Sequence, residues 1–505
     1  MNLTGMLEST ARKYPSKEAL VYGEQRFTYT EVLAASRRAA NVLRDAGVGP
    51  GDRVAVMTYN TPGFVFAAFG AWRAGATLVP VNHKLQAPEV AYTTRHAGVK
   101  VGIVDASLVD IARRGAPEVR WLCTDGNAAD VTSFDELVAH SEEWEGVPVS
   151  EHDIAEILYT SGTTSRPKGC VHTHRGITTV AAYTSAAIPL ERSDRFLIAM
   201  PIWHSSPLNN WFLSMVFLGG TTVLLREYHP VRFLETVRDE KITAFFGAPI
   251  AYLAPLQVVG DLSAYDLSSV RAWIYGGGPI GADTARALAA AYRSDRFYQV
   301  YGMSEMGPVG TVLYPEEQIA KAGAIGSAGM PGVDVRVVTV DGKPAGPGDV
   351  GEVWLRSDTR MVGYLDDDEA TAAAFDGEWY RSGDLVRLDD DGFMTVVDRL
   401  KDLIITGGEN VYSKEVEDAI GAHPAVVDVA VIGRPHAEWG ETVVAVVVLA
   451  EGATLSLDEL REWLAPRLAR YKLPRALEVV ESLPRTPSGK ITKHVLREQI
   501  LRDAR

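Results

Sequence analysis

The densest concentration of groups that could do chemistry lies between Thr160 and Gly169, directly after the apolar run at 154–158. Hydroxyl groups, small residues that expose backbone N–H groups and a lysine ammonium stand together there, as in a loop that holds a polyphosphate. The segment is not a Walker A loop, because Pro167 precedes Lys168 and glycine follows it. The alternative is an ordinary polar surface loop. The predicted phosphate-binding residues are Thr160, Ser161, Gly162, Thr163, Thr164 and Lys168.

A glycine-rich turn at 276–281 stands between a predicted strand and a predicted helix. It satisfies the G-x-G-x-x-G pattern of dinucleotide-binding folds, and Asp295 follows where a ribose-binding acid would be sought. A single match of this kind is weak, and Pro279 within the turn does not suit that fold. We therefore expect close backbone approach to a flat or anionic ligand instead. The residues concerned are Gly276, Gly277 and Gly278.

An aromatic ring, a hydroxyl and a carboxylate occur together at Tyr301, Ser304 and Glu305, in a short loop after another predicted strand. A carboxylate beside a phosphate site is a natural Mg²⁺ ligand, because Mg²⁺ usually takes one or two carboxylates and completes its shell with phosphate oxygens. The alternative is a loop with a purely structural role. Gly302 and Met303 belong to the same candidate nucleotide contact.

Three further charged residues stand in short motifs. Asp384 could accept hydrogen bonds from ribose hydroxyls, and Arg399 could pair with a phosphate. The alternative for both is a surface ion pair. Lys490 lies in a Pro/Ser/Gly turn at 485–491, either as a solvated loop residue or as a mobile cation delivered to a distant site.

These segments need a scaffold, and most of the chain alternates β-rich apolar runs with helical patterns, which is typical of α/β layers. Thr28 followed by Glu31 predicts a capped helix N-terminus. After about residue 350, short strands punctuated by glycine and aspartate favour an antiparallel subdomain. The predicted elements are strands at 53–57, 76–81, 101–104, 154–158, 221–225, 272–275 and 297–300, and helices at 64–72 and 282–292.

The end of the chain reads as a unit of its own, with a boundary at 399–402. About a hundred residues is a normal domain size. The predicted elements there are helices at 413–422 and 457–470 and strands at 426–433 and 442–449.

Composition limits the function classes. The chain has 505 residues, 46% of them hydrophobic, so it can bury more than one core. A formal charge of −15 works against a nucleic-acid partner. Two cysteines are too few for a disulfide framework, and the longest apolar run is too short to span a bilayer. We expect no signal peptide, because charges occur early in the sequence where an apolar core would be needed. We expect a soluble cytoplasmic protein without a transmembrane segment.

Taken together and in this order, the motifs resemble the adenylate-forming superfamily of acyl-CoA ligases, peptide-synthetase adenylation domains and luciferases. The likeness runs from FTYTEVL near the start to PRTPSGKI near the end. It implies an α/β fold in a multidomain α+β chain. A large N-terminal region, 1–399, would combine stacked α/β subdomains with an antiparallel β subdomain and bind ATP and the acid. A small mobile α+β domain, 400–505, would turn about a hinge at Lys401.

The resemblance also implies roles for single residues. Lys490 would bridge the acid and the α-phosphate of ATP, Glu305 would hold Mg²⁺, and Ser304 would donate to the α-phosphate. Gly276, Gly277, Gly278 and Tyr301 would line the adenine slot, Asp384 would bind the ribose, and Arg399 the ribose–phosphate side. Two departures from the usual pattern, Ser165 for glycine and Ser304 for threonine, remove no group that the chemistry needs.

The acid and the acceptor thiol follow from the same resemblance. His204 would gate the acid site, and residues 205–220 carry no charge, which favours a fatty, aryl or polycyclic acid without an amino group. The predicted acyl pocket is Trp203, Asn209, Asn210, Trp211 and Met215. The predicted coenzyme A tunnel is Gly407, Gly408, Glu409 and Trp439.

The expected enzyme is therefore an AMP-forming acyl-CoA synthetase that uses ATP, Mg²⁺ and coenzyme A. A ligase that loads a carrier-protein phosphopantetheine is the first alternative. A nucleotide-dependent oxidoreductase built on the 276–281 glycines and an inactive binding or scaffold protein are the others. A homodimer and an acyl carrier protein are left open as partners.

Overall fold

The computed structural model describes residues 1–160, 167–407, 409–436, 438–485 and 491–503. Two compact units are present. The first consists of Met1–Thr160, Lys168–Val335 and Leu355–Tyr380. The second contains Arg336–Trp354 and the described residues of Arg381–Arg505. The predicted boundary at 399–402 is not tested by this division and stays a prediction.

Within the described ranges, α-helices occur throughout the chain. They are α1 Leu3–Lys13, α2 Tyr29–Asp45, α3 Pro62–Arg73, α4 Ala87–Ala97, α5 Val109–Gly115, α6 Phe134–His140, α7 His174–Ala187, α8 Leu213–Leu218, α9 Pro230–Asp239, α10 Pro249–Val259, α11 Ala282–Tyr292, α12 Asp368–Ala374, α13 Ser413–Gly421, α14 Leu457–Leu464 and α15 Lys493–Asp503. A π-helix, Ser206–Phe212, directly precedes α8. None of the helices in the described ranges is long and apolar enough to cross a membrane.

The strands alternate with these helices in the first half of the chain. They are β1 Glu18–Tyr22, β2 Gln25–Thr28, β3 Arg53–Met57, β4 Thr77–Pro80, β5 Val101–Asp105, β6 Arg120–Thr124, β7 Ile154–Thr160, β8 Lys168–Thr173, β9 Arg195–Ile198, β10 Thr221–Leu224, β11 Ala244–Gly247, β12 Ala272–Gly276, β13 Phe297–Gly302, β14 Gly310–Leu313, β15 Asp334–Val338, β16 Val350–Arg356, β17 Gly363–Tyr364, β18 Phe375–Asp376, β19 Trp379–Leu388, β20 Met394–Arg399, β21 Ile404–Thr406, β22 Glu409–Val411, β23 Val426–His436, β24 Gly440–Leu449 and β25 Ala476–Val479.

The first unit contains two mostly parallel sheets. One has the order β17-β8-β7-β4-β3-β5-β6, and the other β14-β13-β12-β11-β9-β10-β1-β2. Antiparallel pairs occur at the ends of these sheets, where β8 pairs with β7 and β17 and β14 pairs with β13. Such sheets place polar loops at the carboxyl ends of their strands, which is where ligands bind in α/β folds. A further antiparallel sheet joins β15, β16, β18, β19 and β20.

The second unit builds its core on both faces of β23 and β24. Alternate residues of a strand point to opposite faces. Val443, Ala445 and Val447 therefore pack with α13 and α14, whereas Val444 and Val446 pack with Leu496 of α15.

Most predicted elements are confirmed, and two have their predicted bounds: β3 at 53–57 and α11 at 282–292. The helix predicted at 457–470 is too long, because α14 ends at Leu464. Pro466 explains the early end, since proline has no backbone N–H with which to continue the hydrogen bonds of the helix. The predicted α/β fold class of a multidomain chain is confirmed.

Candidate active site

The β7–β8 hairpin places Thr160 opposite Lys168. The Thr160 hydroxyl donates to the Lys168 carbonyl at 3.5 Å. Both residues thus lie at the base of the predicted phosphate loop. Four members of that loop, Ser161, Gly162, Thr163 and Thr164, and the departure Ser165 lie outside the described residues.

The Lys168 ammonium lies among polar groups of the first unit. It is 3.8 Å from a carboxylate oxygen of Asp367 and 4.9 Å from the centre of the Tyr364 ring. Its side chain is about one-third exposed, so a phosphate could still reach it. A partly exposed lysine on an aromatic face suits a phosphate site, because the ring orients the ammonium and leaves it accessible to a ligand.

Glu305 adjoins the same cluster. The Tyr364 hydroxyl donates to Glu305 Oε1 at 3.0 Å. Burial and the Glu305 carboxylate both raise the pKa of Tyr364, so the phenol keeps its proton and remains a donor. Lys168, Tyr364 and Glu305 therefore form one contiguous group, although the two charged residues are far apart in sequence.

Ser304 begins the turn that carries Glu305. Its hydroxyl is 3.0 Å from the Ser205 hydroxyl, and its carbonyl accepts from His172 Nε2 at 2.8 Å. His172 is fully buried, and burial lowers its pKa to about 4. The ring is neutral at physiological pH, and the proton on Nε2 makes this bond.

The glycine turn and Tyr301 meet at one edge of a sheet. Gly276, at the end of β12, pairs with Val300 of β13, and a Cβ at position 276 would lie 2.9 Å from the Val300 carbonyl oxygen. Gly277 has a φ of +81°, which side-chain-bearing residues rarely adopt, and no atom lies within 4 Å of the Cβ position there. The backbone at Gly277, beside Tyr301, therefore has open space on one side. A flat ligand needs such space to lie against the backbone.

The predicted acyl residues divide into two groups. His204 is exposed, and its ring lies against the Trp203 ring in a tilted arrangement, with ring centres 3.8 Å apart. Trp203 Nε1 donates to His83 Nδ1 at 2.8 Å. Trp211 and Met215 are buried, and the Trp211 ring stacks on the rings of Phe196 and Phe246. Asn209 and Asn210 are also buried.

Sequence reasoning missed Glu156, a fully buried carboxyl group on β7. Asn209 Nδ2 donates to Glu156 Oε1 at 2.6 Å. Burial raises the pKa of Glu156 to about 8, and the bond from Asn209 opposes this rise only in part. The available signal was a single glutamate inside the apolar run before the phosphate loop.

Asp384 and Arg399 face each other in the second unit, across the β19–β20 pair. Arg399 Nε lies 3.2 Å from Asp384 Oδ1, with the aspartate mostly buried and the arginine half-exposed. The two predicted ribose and phosphate contacts are thus neighbours at one strand end.

The described residues of the predicted tunnel also come together. Gly407 N donates to the Trp439 carbonyl at 2.8 Å, and Thr406 pairs with Glu409. Gly407 has a φ of +60°, and a Cβ there would lie 2.8 Å from the Trp439 ring. Gly408 lies outside the described residues, as does Lys490.

The predicted hinge residue, Lys401, is tied to the last helix. Arg497 of α15 donates to Asp402 Oδ1 at 2.9 Å and to the Lys401 carbonyl at 3.5 Å.

The donor set around Glu305 fits Mg²⁺ held jointly with a nucleotide. No group of three or more His, Cys, Asp or Glu side chains among the described residues could hold a metal without other ligands. One carboxylate completed by phosphate oxygens and water is a usual Mg²⁺ arrangement.

Comparisons with known proteins identify the family. The pattern described as AMP-binding enzyme matches residues 7–365, and that described as AMP-binding enzyme C-terminal domain matches residues 415–490. A feruloyl-CoA synthase of Amycolatopsis sp is 39% identical, covering 97% of each chain. The long-chain-fatty-acid–CoA ligase FadD13 of Mycobacterium tuberculosis is 36% identical, covering 99% of this chain and 98% of that one.

A solved structure agrees. The o-succinylbenzoate coenzyme A synthetase of Bacillus subtilis, in complex with ATP and magnesium ion, is 29% identical, covers 98% of each chain and superposes with a TM-score of 0.86. The resemblance stated from the motifs is therefore confirmed, and the oxidoreductase alternative is not supported. The chain belongs to the AMP-binding enzyme family, as an AMP-forming acid–thiol ligase.

Proposed function

We propose that the chain joins a carboxylic acid without an amino group to coenzyme A in two steps. The acid first becomes an acyl-AMP, with release of pyrophosphate from ATP, and the thiol then displaces AMP. The observation that carries this proposal is the contiguous group of Lys168, Tyr364 and Glu305, with Ser304 adjacent to Glu305, in the first unit.

In the first step a carboxylate oxygen attacks the α-phosphorus, and the bond to the bridging oxygen of pyrophosphate breaks. Two unit negative charges 4 Å apart repel by about 4 kcal/mol at an effective dielectric of about 20. The site must therefore bring cations to the reacting atoms. We assign Lys168 to the β- and γ-phosphates, Lys490 to the acid and the α-phosphate, and the Ser304 hydroxyl to a donor role at the α-phosphate.

Glu305 would hold Mg²⁺, which when bound neutralises phosphate charge. The Tyr364 hydroxyl donates to Glu305 Oε1 at 3.0 Å and so orients the carboxylate that we assign to the ion. On the same proposal, the open backbone at Gly277, together with Gly278, receives the adenine beside Tyr301, and Asp384 and Arg399 bind the ribose side.

In the second step the thiolate attacks the acyl carbon, and AMP leaves with the electron pair of the broken bond. We assign the passage for the pantetheine arm to Gly407, Gly408, Glu409 and Trp439. The Gly407 position supports this assignment, because any side chain there would meet the Trp439 ring.

The class of acid is inferred from the lack of charged side chains in the segment assigned to the acyl pocket. Residues 205–220 carry no charged side chain, and the pKa of Glu156 keeps that carboxyl neutral below about pH 8. A substrate ammonium would have no charged partner in this segment, and burying it unpaired would be costly. We propose a fatty, aryl or polycyclic acid, and the names of the two relatives agree with the first two classes.

Acid-dependent exchange of labelled pyrophosphate into ATP tests the proposal. We expect exchange with fatty, aryl or polycyclic acids, none with α-amino acids, and acyl-CoA only when coenzyme A is added. Exchange that responds only to amino acids would contradict the acid class. A thioester formed with a purified phosphopantetheinyl carrier protein but not with coenzyme A would favour the carrier-loading alternative.

A further inference from the structure

The turn Ser304–Pro308 is held through its backbone by groups from distant parts of the first unit. Every carbonyl in this turn accepts a hydrogen bond from outside it. The donors are His172 Nε2 to Ser304 O at 2.8 Å, Met361 N to Glu305 O at 2.8 Å, Thr359 Oγ1 to Met306 O at 2.7 Å, Asn209 Nδ2 to Gly307 O at 3.2 Å, and Asn210 Nδ2 to Pro308 O at 3.1 Å. We call these five donors the carbonyl cradle.

The side chains of the carbonyl cradle are withdrawn from solvent. His172, Thr359 and Asn209 are fully buried, and Asn210 is 3% exposed. Buried polar groups are nearly always hydrogen-bonded, and leaving one without a partner costs about 1–3 kcal/mol. The donors therefore favour one position of the turn, because a shift would take the carbonyl partner from buried N–H groups such as His172 Nε2 and Asn210 Nδ2.

The π-helix explains how two neighbouring residues reach two neighbouring carbonyls. Asn209 and Asn210 lie inside Ser206–Phe212, and their amides bond to Gly307 and Pro308. Single π-turns are rare in helices and are frequently found at functional sites. Here the irregular turn directs both amides toward one segment of backbone.

Glu156 sets the orientation of Asn209. An asparagine amide has two N–H donors, and Asn209 gives one to Glu156 Oε1 at 2.6 Å and the other to Gly307 O at 3.2 Å. The first bond is the shorter of the two. Glu156 lies on β7, the strand that leads into the predicted phosphate loop.

We infer that Asn209, Asn210, His172 and Thr359 are positioning residues that hold Ser304 and Glu305 for adenylation, and that Glu156 acts through Asn209. Asn209 and Asn210 then serve the nucleotide end of the site instead of contacting the acid. This inference deepens the proposed function and rests on it, because the value of the turn lies in the Ser304 hydroxyl and the Glu305 carboxylate.

Positioning of this kind has a large kinetic effect. A displacement of about 1 Å at a reacting group can cost about 100-fold in rate. Groups that orient metal ligands typically change activity or metal affinity by about 10- to 100-fold when removed. The expected signature is a loss of kcat and a higher Mg²⁺ requirement, with the KM for the acid preserved.

The experiment compares Asn209→Leu with Thr359→Val and the control Ser214→Ala. Thr359→Val nearly keeps the side-chain shape and removes one cradle bond, so it covers the case in which Asn209→Leu does not fold. Ser214 is equally buried, and its hydroxyl donates to Ala181 O at 3.1 Å and not to a carbonyl of the turn. Acyl-AMP formation is measured against acid, ATP and Mg²⁺ concentration.

We expect kcat to fall by about 10- to 100-fold in both cradle variants. The Mg²⁺ concentration for half-maximal rate should rise, and the KM for the acid should change less than about 2-fold. Ser214→Ala should keep all three values near those of the unsubstituted enzyme. A raised KM for the acid and a changed order of preferred acids, with kcat preserved, would instead make Asn209 an acid-pocket residue and overturn the inference.

Two substitutions of Glu156 test the link to Asn209. Glu156→Gln keeps an oxygen that accepts from Asn209 and should retain kcat within about 3-fold, whereas Glu156→Leu removes the acceptor and should behave like Asn209→Leu. Equal loss in both, or none in either, would show that the bond between Glu156 and Asn209 does not position the turn.

The rate of amide hydrogen exchange in the peptide 303–311 reports how firmly the carbonyl cradle holds the turn, and the measurement needs no enzymatic activity. Exchange should be faster in Thr359→Val and Asn209→Leu than in the unsubstituted enzyme or Ser214→Ala. Unchanged exchange would overturn the cradle whatever the activity. If the unsubstituted enzyme forms no acyl-AMP with any acid, the proposed function fails, and the exchange data still decide whether these donors hold the turn.

Discussion

Glu156 illustrates how burial alone can change the chemistry of a side chain. Its carboxyl group is completely buried on β7, and its cross-strand neighbour, His172, is held neutral with a pKa of about 4. The pKa of Glu156 rises to about 8 because burial removes the water that would stabilise the carboxylate. The group therefore binds its proton more tightly in the folded than in the unfolded chain.

The stability of the protein should reflect this proton. Between the ordinary glutamate pKa and about pH 8, the folded state keeps the proton and the unfolded state releases it, so the contribution of Glu156 to stability falls as pH rises. We expect Glu156→Gln to remove this pH dependence. Between pH 5 and pH 8, the free energy of unfolding of the variant should rise relative to that of the unsubstituted protein by on the order of a few kcal/mol. Denaturant unfolding at several pH values measures it. A difference that does not change with pH would contradict the buried neutral carboxyl.

Lys490 carries the positive charge that we assign to the first step. Lys490→Ala should abolish acyl-AMP formation but leave thioester formation from supplied acyl-AMP largely intact, because the second step has no attack by a carboxylate on phosphorus. The two half-reactions are assayed separately. Equal loss of both activities in Lys490→Ala would indicate a structural role.

Single-residue chemistry was only partly readable from the sequence. Lys168, Ser304 and Glu305 stand out because polar residues cluster in glycine-rich loops. His172 and Thr359 carry no such signal, since their partners are backbone carbonyls more than fifty residues away. A hydrogen bond to a distant carbonyl depends on tertiary packing, which residue type and spacing do not reveal.

At the scale of elements, α2 begins with the capping box that the sequence predicts. Thr28 Oγ1 accepts from Glu31 N at 3.3 Å, and Glu31 Oε2 accepts from Thr28 N at 2.7 Å, so both halves of the predicted capping box are present. Thr28→Ala should lower the free energy of unfolding by about 1 kcal/mol, because an N–H of the first turn loses its partner. Denaturant titration checks it, with Thr30→Ala as the control. An equal loss of unfolding free energy in both variants would show that the capping hydrogen bond is not the cause.

A substitution at Gly407 tests whether the β21–β22 turn lines the coenzyme A tunnel, as we propose. Gly407→Ala places a Cβ 2.8 Å from the Trp439 ring at a positive φ. We expect thioester formation to slow by about 10-fold or more while acyl-AMP formation persists, because only the second step uses the tunnel.

The matched control is Gly452→Ala in the same unit. Gly452 also has a positive φ, +75°, but no atom lies within 4 Å of its Cβ position. If both variants slow the second step equally, backbone strain and not the approach to Trp439 is responsible.

Helices and strands were predicted best where turn residues mark both ends of a clear apolar pattern. β3 and α11 have their predicted bounds because turn residues flank clear apolar patterns. The π-helix at Ser206–Phe212 was not predicted, since its polar residues look like a substrate pocket in sequence. Its register depends on the bonds that Asn209 and Asn210 make to the turn, and those appear only in the folded chain.

For the whole molecule, the order of motifs was more informative than any one of them. The glycine turn alone allowed an oxidoreductase, and the loop 160–169 alone allowed a surface loop. Their order, from the phosphate loop to the terminal lysine motif, indicated one family, and the matches at 7–365 and 415–490 agree. The acid and the domain boundary were not fixed by that order, because both depend on side chains that vary within one fold.

The central claim is that the acid becomes reactive by attacking the α-phosphorus of ATP. The most direct measurement is a reaction with acid labelled with ¹⁸O in both carboxylate oxygens, followed by mass spectrometry of the products. The account predicts one ¹⁸O atom in each AMP released and none in pyrophosphate, because the attacking oxygen stays on the phosphorus when the thiol displaces AMP. Thioester formation with unlabelled AMP, or label in pyrophosphate or inorganic phosphate, would contradict it.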